Sequence, residues 1–306
     1  MITFLSKRLL QLLPVLFGVS LTVFLMIHLI PGDPASLVAG MDATAEDVER
    51  VRQSLGLDRP LPIQYAEFVG RALTGDFGNS FRTGRPVIEE IGFRYWNTML
   101  LGVSAVTFGT LLGVVTGILT AVFRNGWFDS SILAGSLLGI SVPPFFLGII
   151  LMLFFSVYLG WLPLTGMDTW WHLVLPTLTL GIPNAAIISR ITRSSLIEVL
   201  NQDYVRTARA KGVPEFDVVN RHGVRNALIP VVTVAGLQMG YLLGGAVVTE
   251  TVFAWPGIGR LIVQSIGARD FPVVQASVLL LALTFVVINL ITDLIYKFLD
   301  PRIKLQ

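Results

Sequence analysis

The 306-residue chain has no cysteine, only three histidines, and charged side chains at only 14% of positions. A water-soluble domain carries about 25% charged residues. This chain lacks the charge to coat a soluble particle of its size. Without cysteine, disulfides, iron–sulfur clusters and thiolate zinc sites are excluded. His28, His172 and His222 lie far apart, so no histidine pair has metal-site spacing. The 22 basic and 20 acidic residues leave a net charge of +2, with no polybasic field for a nucleic acid. No lysine sits in a G-x-x-x-x-G-K-[ST] run, so the chain has no Walker-type phosphate loop. A G-x-S-x-G nucleophile elbow is also missing. An intramembrane serine protease would need a serine and a histidine meeting inside the bilayer, and the histidines fall at span ends or in a connecting loop.

The chain is instead rich in apolar residues, at 53% with a mean hydropathy of +0.72. It reads as an all-α polytopic membrane protein with six transmembrane helices. Apolar runs cover 9–30, 97–123, 131–160, 173–194, 229–252 and 273–298. At about 1.5 Å per residue, each can cross a hydrocarbon core of roughly 30 Å. The first follows Lys7 and Arg8 like a signal peptide. A signal core is about 7–15 residues long, however, and Pro31-Gly32-Asp33-Pro34 is a poor cleavage site. A retained helix is expected. Pro143-Pro144 should kink or break the third run. The fourth holds Pro176, Pro183, Asn184 and Arg190, too polar to face lipid all round, and should lie against the protein interior.

Basic residues concentrate at Lys7 and Arg8, at Arg124, between Arg190 and Arg225, and at Lys297, Arg302 and Lys304. The positive-inside rule puts these in the cytoplasm, with both termini. The organisation expected is a tip and first span (1–30), an external loop (31–96) and a five-span core (97–299). A cytoplasmic connection (195–228) lies within the core, and a cytoplasmic tail (300–306) follows. All six tryptophans, Trp96, Trp127, Trp161, Trp170, Trp171 and Trp255, fall at or beyond expected span ends, where indole prefers the headgroup level. The external loop should form a small helical cap. Thr44 can start a helix with Asp47 three residues on, and Gly56 can end it.

Gly109, Gly113 and Gly117 repeat every four residues in the second span, and Gly236, Gly240 and Gly244 in the fifth. Such faces let helix backbones approach closely. They suit static packing or a smooth sliding contact, and spacing alone does not choose. Ionisable groups within spans are few. Glu250 lies near the external end of the fifth, and Asp293 can pair with Lys297 near the cytoplasmic end of the sixth. A proton relay would need more acids at the membrane centre. This disfavours a stand-alone secondary carrier.

The connection 201–232, NQDYVRTARAKGVPEFDVVNRHGVRNALIPVV, reads as two short helices. Gly212 can end the first in a left-handed conformation, and Pro214 suits the first turn of the second. Tyr204, Ala208 and Lys211 share one face by spacing. A helix lying on headgroups and a docking element for a partner fit equally well.

This connection resembles the cytoplasmic coupling loop of permease subunits of ABC-type importers. Gly212 matches the loop's glycine, while Arg206-Thr207-Ala208 stands where the general pattern has Glu-Ala-Ala. The stretches DYVRTARAKG and RNALIPVV are similar to the peptide-importer branch. HLIPGDP, GDFGNSF, ISVPPFFLG, TETVFAWPGIGRL, RDFPVVQ and LDPRI extend the likeness over essentially the whole chain.

The resemblance implies the first of two permease subunits of a dipeptide, oligopeptide or glutathione importer. The short 161–172 loop looks more like the glutathione branch. Nickel and opine importers share the fold and are the alternative. Implied partners are a second homologous permease, two ATPase subunits, an extracytoplasmic binding protein and membrane lipid, with no nucleic acid. No cofactor is implied on this chain, since ATP and magnesium belong to the ATPases. Tyr204, Arg206, Thr207, Ala208, Arg209, Lys211, Gly212 and Arg221 are then candidate coupling residues. Tyr204 and Ala208 would touch an ATPase groove, and the basic residues would pair with acids on its rim. Ser141, Asn184, Gln238 and Glu250 are candidates for the translocation path.

Overall fold

The structure is a computed structural model that describes residues 2–29, 33–40, 43–54 and 56–299. Its helices in chain order are α1 (Ile2–Leu29), α2 (Pro34–Ala39), α3 (Ala45–Ser54), α4 (Leu61–Leu73), α5 (Val87–Val122), α6 (Trp127–Ser141) and α7 (Pro144–Leu151). They continue with α8 (Val174–Leu200), α9 (Asp203–Ala210), α10 (Glu215–Asp217), α11 (Arg225–Val252), α12 (Ile258–Gly267) and α13 (Phe271–Leu299). Wide helical turns over Met152–Tyr158 and Val218–Val224 extend α7 and lead into α11. Among the described residues the only β pairing is an isolated bridge between Asn79 and Pro86. The fold is all-α, and five helices are long and apolar enough to cross a membrane. The pair α6–α7, bent by 107°, makes a sixth if taken as one broken span.

Backbone chemistry explains the break. A residue before proline is pushed out of the α region. Val142 and Pro143 each precede a proline, and both are extended, at ψ 124° and 135°. Two helical starts differ from hydropathy. Helix α5 begins at Val87, ten residues before its apolar run, with Glu89 and Glu90 in a first turn where acids complement the helix dipole. Helix α12 occupies what reads as a loop, because Gly259 and Arg260 interrupt its apolar residues.

The chain divides into two compact units, 1–95 with 261–286 and 96–260 with 287–306. In the first unit, α3 is capped as its sequence suggests. The Asp47 N–H donates to Thr44 Oγ1 (3.2 Å), and the Thr44 N–H donates to Asp47 Oδ2 (3.0 Å). Gly56 follows at φ +68°, and the Leu57 N–H returns to the Arg52 carbonyl. Phe24 packs on Tyr65 and Phe68 of α4. Buried Gln275 donates to the Val23 carbonyl at 3.0 Å. Asp270 accepts from the Ser80 hydroxyl and from the Phe81 N–H.

In the second unit α8 is the most enclosed span, as its polarity demands. Leu180 of α8 joins Leu101, Ala105, Leu242, Ala246 and Trp255 in one buried cluster. The tryptophan reading needs one correction. Trp96, Trp127, Trp161, Trp170 and Trp171 are exposed, but Trp255 is buried, and its indole N–H donates to the Asn97 carbonyl (3.1 Å). That indole has its polar partner inside the protein. The expected Asp293–Lys297 pair needs the Lys297 side chain, which lies outside the described residues, as does the 300–306 tail.

Candidate functional site

The connection between α8 and α11 folds as a small body with its own core. Val205 and Ala208 of α9 are buried against Val218, with Leu200 and Val213 packed around them. Gly212 turns the chain at φ +78°, a conformation glycine adopts without steric cost. Pro214, extended at ψ 142°, is the N-cap of α10. Arg209 braces the turn. Its Nε and Nη2 donate to the Glu215 carboxylate at 3.0 and 2.6 Å, and its Nη1 reaches the Leu200 carbonyl. Tyr204 donates to the His222 carbonyl and accepts from Asn226 Nδ2 at 2.9 Å.

This body is fixed to both spans it joins. Gly223 sits against Leu196 and Leu200 of α8, where an added Cβ would lie 3.0 and 3.1 Å from their methyl carbons. Leu196 also packs with Ala121 of α5 and Ala227 of α11.

The expected common face of Tyr204, Ala208 and Lys211 is therefore not one surface. Ala208 points into the loop's core, because its methyl fills the gap beside Val218, whereas Tyr204 and Lys211 are exposed. The exposed surface instead carries Arg206, Thr207, Lys211 and Arg221, and Phe216 at 77% exposure. Sequence reasoning missed Phe216. Its only signal was a large aromatic between two acids, Glu215 and Asp217, just past a turn.

Two of the four path candidates meet. Gln238 of α11 donates to Asn184 Oδ1 of α8 at 3.2 Å. Asn184 is buried beside Gly109, and its Nδ2 has no hydrogen-bond partner among the described residues. Ser141 is exposed and donates to the Leu137 carbonyl at the end of α6. Glu250 is elsewhere, buried near the end of α11 farthest from the 201–224 body.

The α5 glycines lie on α8. A Cβ at Gly109, Gly113 or Gly117 would come 2.6–2.7 Å from a carbonyl oxygen of Gly181, Ala185 or Ser189. Backbones that close need glycine. The α11 glycines divide. Gly236 abuts Thr292 of α13, Gly240 is buried, and Gly244 has no other described element within 4 Å.

Two polar clusters were not read from the sequence. Arg193 of α8 donates through Nε and Nη2 to both oxygens of buried Asp129 of α6, at 2.9 and 2.7 Å, and the Asn125 N–H adds a third bond. The second surrounds Glu250. Thr98 Oγ1 donates to Glu250 Oε1 (2.6 Å), and the Arg260 N–H donates to Oε2 (3.0 Å).

The first unit holds a cavity of about 190 Å³ lined by Phe24, His28, Gln64, Phe68, Arg71 and Phe77, among others. None of the expected site residues lines it. Among the described residues no group of three metal-ligating side chains converges.

Comparison with known proteins agrees with these features. Residues 113–305 match the family described as binding-protein-dependent transport system inner membrane component, and residues 1–102 match its N-terminal family. The chain is 52% identical over 304 residues to the glutathione transport system permease protein GsiC of Pectobacterium atrosepticum, covering 99% of each chain. It is 50% identical, with the same coverage, to the GsiC protein of Escherichia coli. Among solved structures, the MetNI methionine ABC transporter in inward-facing conformations aligns with a TM-score of 0.60 at 21% identity, over 70% of this chain and 97% of that one. An amino acid ABC transporter aligns at 0.52 and 16% identity, over 69% and 92%. Those two share the fold. The family matches span nearly all of a chain whose α8–α11 connection folds as a compact body between two spans, and the chain belongs to the inner-membrane components of binding-protein-dependent transport systems.

Proposed function

We propose that this chain is a permease subunit of an ATP-driven importer of small peptides, with glutathione the foremost substrate. It works by alternating access beside a second homologous permease. Two ATPase subunits bind at the cytoplasmic face, and an extracytoplasmic binding protein delivers the solute. The 52% identity to a glutathione permease over nearly the full length supports the substrate class. On this reading 31–96 is extracytoplasmic, 195–228 is the cytoplasmic coupling loop, and both termini are cytoplasmic.

The observation that carries the mechanism is the 201–224 body. It has its own core and packs against the ends of α8 and α11. A motor that gripped a floppy linker would lose its stroke. A partner that grips this body displaces two spans with it. Coupling of this kind is a two-state equilibrium biased by a ligand bound elsewhere, here ATP on the partner. Arg206, Thr207, Lys211 and Arg221 form the polar part of the docking surface, and Phe216 its apolar contact. Tyr204, Ala208, Arg209 and Gly212 hold the body's shape. Asn184 and Gln238 contribute polar groups near the path. ATP and magnesium are held by the ATPases.

Gly212→Val tests the coupling role. A β-branched residue at φ +78° is strained by about 1–2 kcal/mol, and relief would reorient α9 against α10. In proteoliposomes with the partner subunits, binding protein and radiolabelled glutathione, the variant should insert normally yet lose vanadate-sensitive uptake. Normal uptake would defeat the assignment.

A further inference from the structure

Glu250 is a carboxyl group buried completely in the second unit, and among the described residues no basic side chain is paired with it. We infer that Glu250 is a positioning residue: its carboxylate latches the end of α11 to Thr98 within α5 and to the first turn of α12, so that these three points move together when the opposite end of α11 is driven. The inference rests on the importer reading above.

The hydrogen bonds leave little slack. The Ile258 N–H donates to Thr98 Oγ1 at 2.8 Å. The single hydroxyl proton of Thr98 is therefore free to go to Glu250 Oε1. Oε2 takes the Arg260 N–H, in the first turn of α12. A carboxylate thus satisfies amide donors that a helix start leaves orphaned. Around it, the Trp255 N–H donates to the Glu250 carbonyl (2.8 Å), and the Trp255 indole donates to the Asn97 carbonyl. Asn97 Nδ2 returns to the Pro256 carbonyl at 2.8 Å, and Arg260 holds the Ala254 carbonyl. The backbone is shaped for the carboxylate. Ala254 sits at φ +51°, and a Cβ at Gly257 would overlap the Glu250 carboxyl group. At Gly259 it would come 3.0 Å from Oε2 and 2.5 Å from the Val247 backbone.

Gln is a poor substitute, because both carboxyl oxygens accept. An amide NH₂ would face either the Arg260 N–H or the Thr98 hydroxyl, whose proton would then lose its acceptor. Thr98→Val removes the bridging hydroxyl, and Thr98→Ser keeps it.

The test uses the complete reconstituted complex with ATP and radiolabelled glutathione, plus a labelled dipeptide as competitor. Wild type must first show ATP-driven uptake, and its failure would sink the importer reading and not the latch. Glu250→Gln and Thr98→Val should assemble and hydrolyse ATP near the wild-type rate while uptake per ATP falls about tenfold. Thr98→Ser should restore it. The inference is overturned if both variants keep the wild-type uptake per ATP, or if both fail to assemble. It is equally overturned if Thr98→Ser behaves like Thr98→Val. A changed preference between glutathione and dipeptide at unchanged coupling would make Glu250 a path residue and also overturn it.

Discussion

At Gly113 an added methyl group would lie 2.6 Å from the Ala185 carbonyl oxygen and 2.7 Å from Ile188 Cβ. Neither neighbour is the free end of a flexible side chain, so Gly113→Ala must push α5 off α8. Over-packing of this kind costs about 1–3 kcal/mol. The thermal midpoint of the purified protein in detergent should fall for Gly113→Ala. Gly244→Ala meets no atom of another described element within 4 Å and should leave that midpoint unchanged or raised. Equal losses from both would remove the distinction between a packed and an open glycine. Four-residue spacing made both faces legible. It could not say which glycines had a neighbour, because that depends on where another helix passes. Asp47 gives a pH-dependent case. The Thr44 hydroxyl and N–H, then Arg50, hold its carboxyl below the usual carboxylate range. A depressed folded-state pKa contributes stability above the unfolded value, and that stability is lost as pH falls through the folded one. Amide exchange in α3 should therefore accelerate on acidification below about pH 4, beyond the intrinsic rate. Asp47→Asn should abolish the pH dependence. Retained dependence in that variant would assign it to another group.

Elements were legible where one residue type dominates the backbone or the hydropathy. Pro143-Pro144 gave the α6–α7 break, Gly212 the turn after α9, and the polar content of α8 its enclosure. The early start of α5 and the whole of α12 were not legible, since Glu89, Glu90 and Arg94 put charge into the first turns of α5, and α12 is 10 residues long with Gly259 and Arg260 at its start. The Thr98–Glu250 and Asp129–Arg193 pairs join residues 152 and 64 positions apart, and sequence spacing carries no trace of such pairs. Pro143→Ala with Pro144→Ala frees Val142 and restores two N–H donors, so α6 and α7 should straighten from their 107° bend. Spin labels on the two helices would report it, and the cysteine-free background makes their attachment site-specific. An unchanged distance would assign the bend to packing. Asp129→Asn leaves Arg193 facing a neutral amide. Removing one partner of a buried pair costs about 3–5 kcal/mol, at the lower end here because Arg193 is partly exposed. The thermal midpoint should drop by more than for Arg193→Lys, which keeps the charge and loses the bidentate geometry. The reverse order would mean that the fork, and not the charge, holds α6 to α8.

For the molecule as a whole, the deciding feature is a compact connection between two spans in a chain with no phosphate loop of its own. Swinging a two-state population from 1:99 to 99:1 takes about 5.5 kcal/mol of differential binding. A small solute that is carried through cannot supply that uphill, because it must leave as readily as it enters. On the proposed reading the energy comes from a ligand that binds one state better and is then consumed, ATP on a partner subunit. The purified chain in liposomes should therefore bind no ATP and accumulate no glutathione against a gradient, whatever ion gradient is imposed. Adding the second permease, the ATPases and the binding protein should produce accumulation that vanadate stops. Trimming Phe216 to alanine should weaken capture of the ATPases by the permease pair while leaving the pair itself assembled, since that side chain is 77% exposed on the connection and supports none of its core. Accumulation by the lone chain under a proton gradient would move the energy source into the membrane and make the α8–α11 connection a bystander.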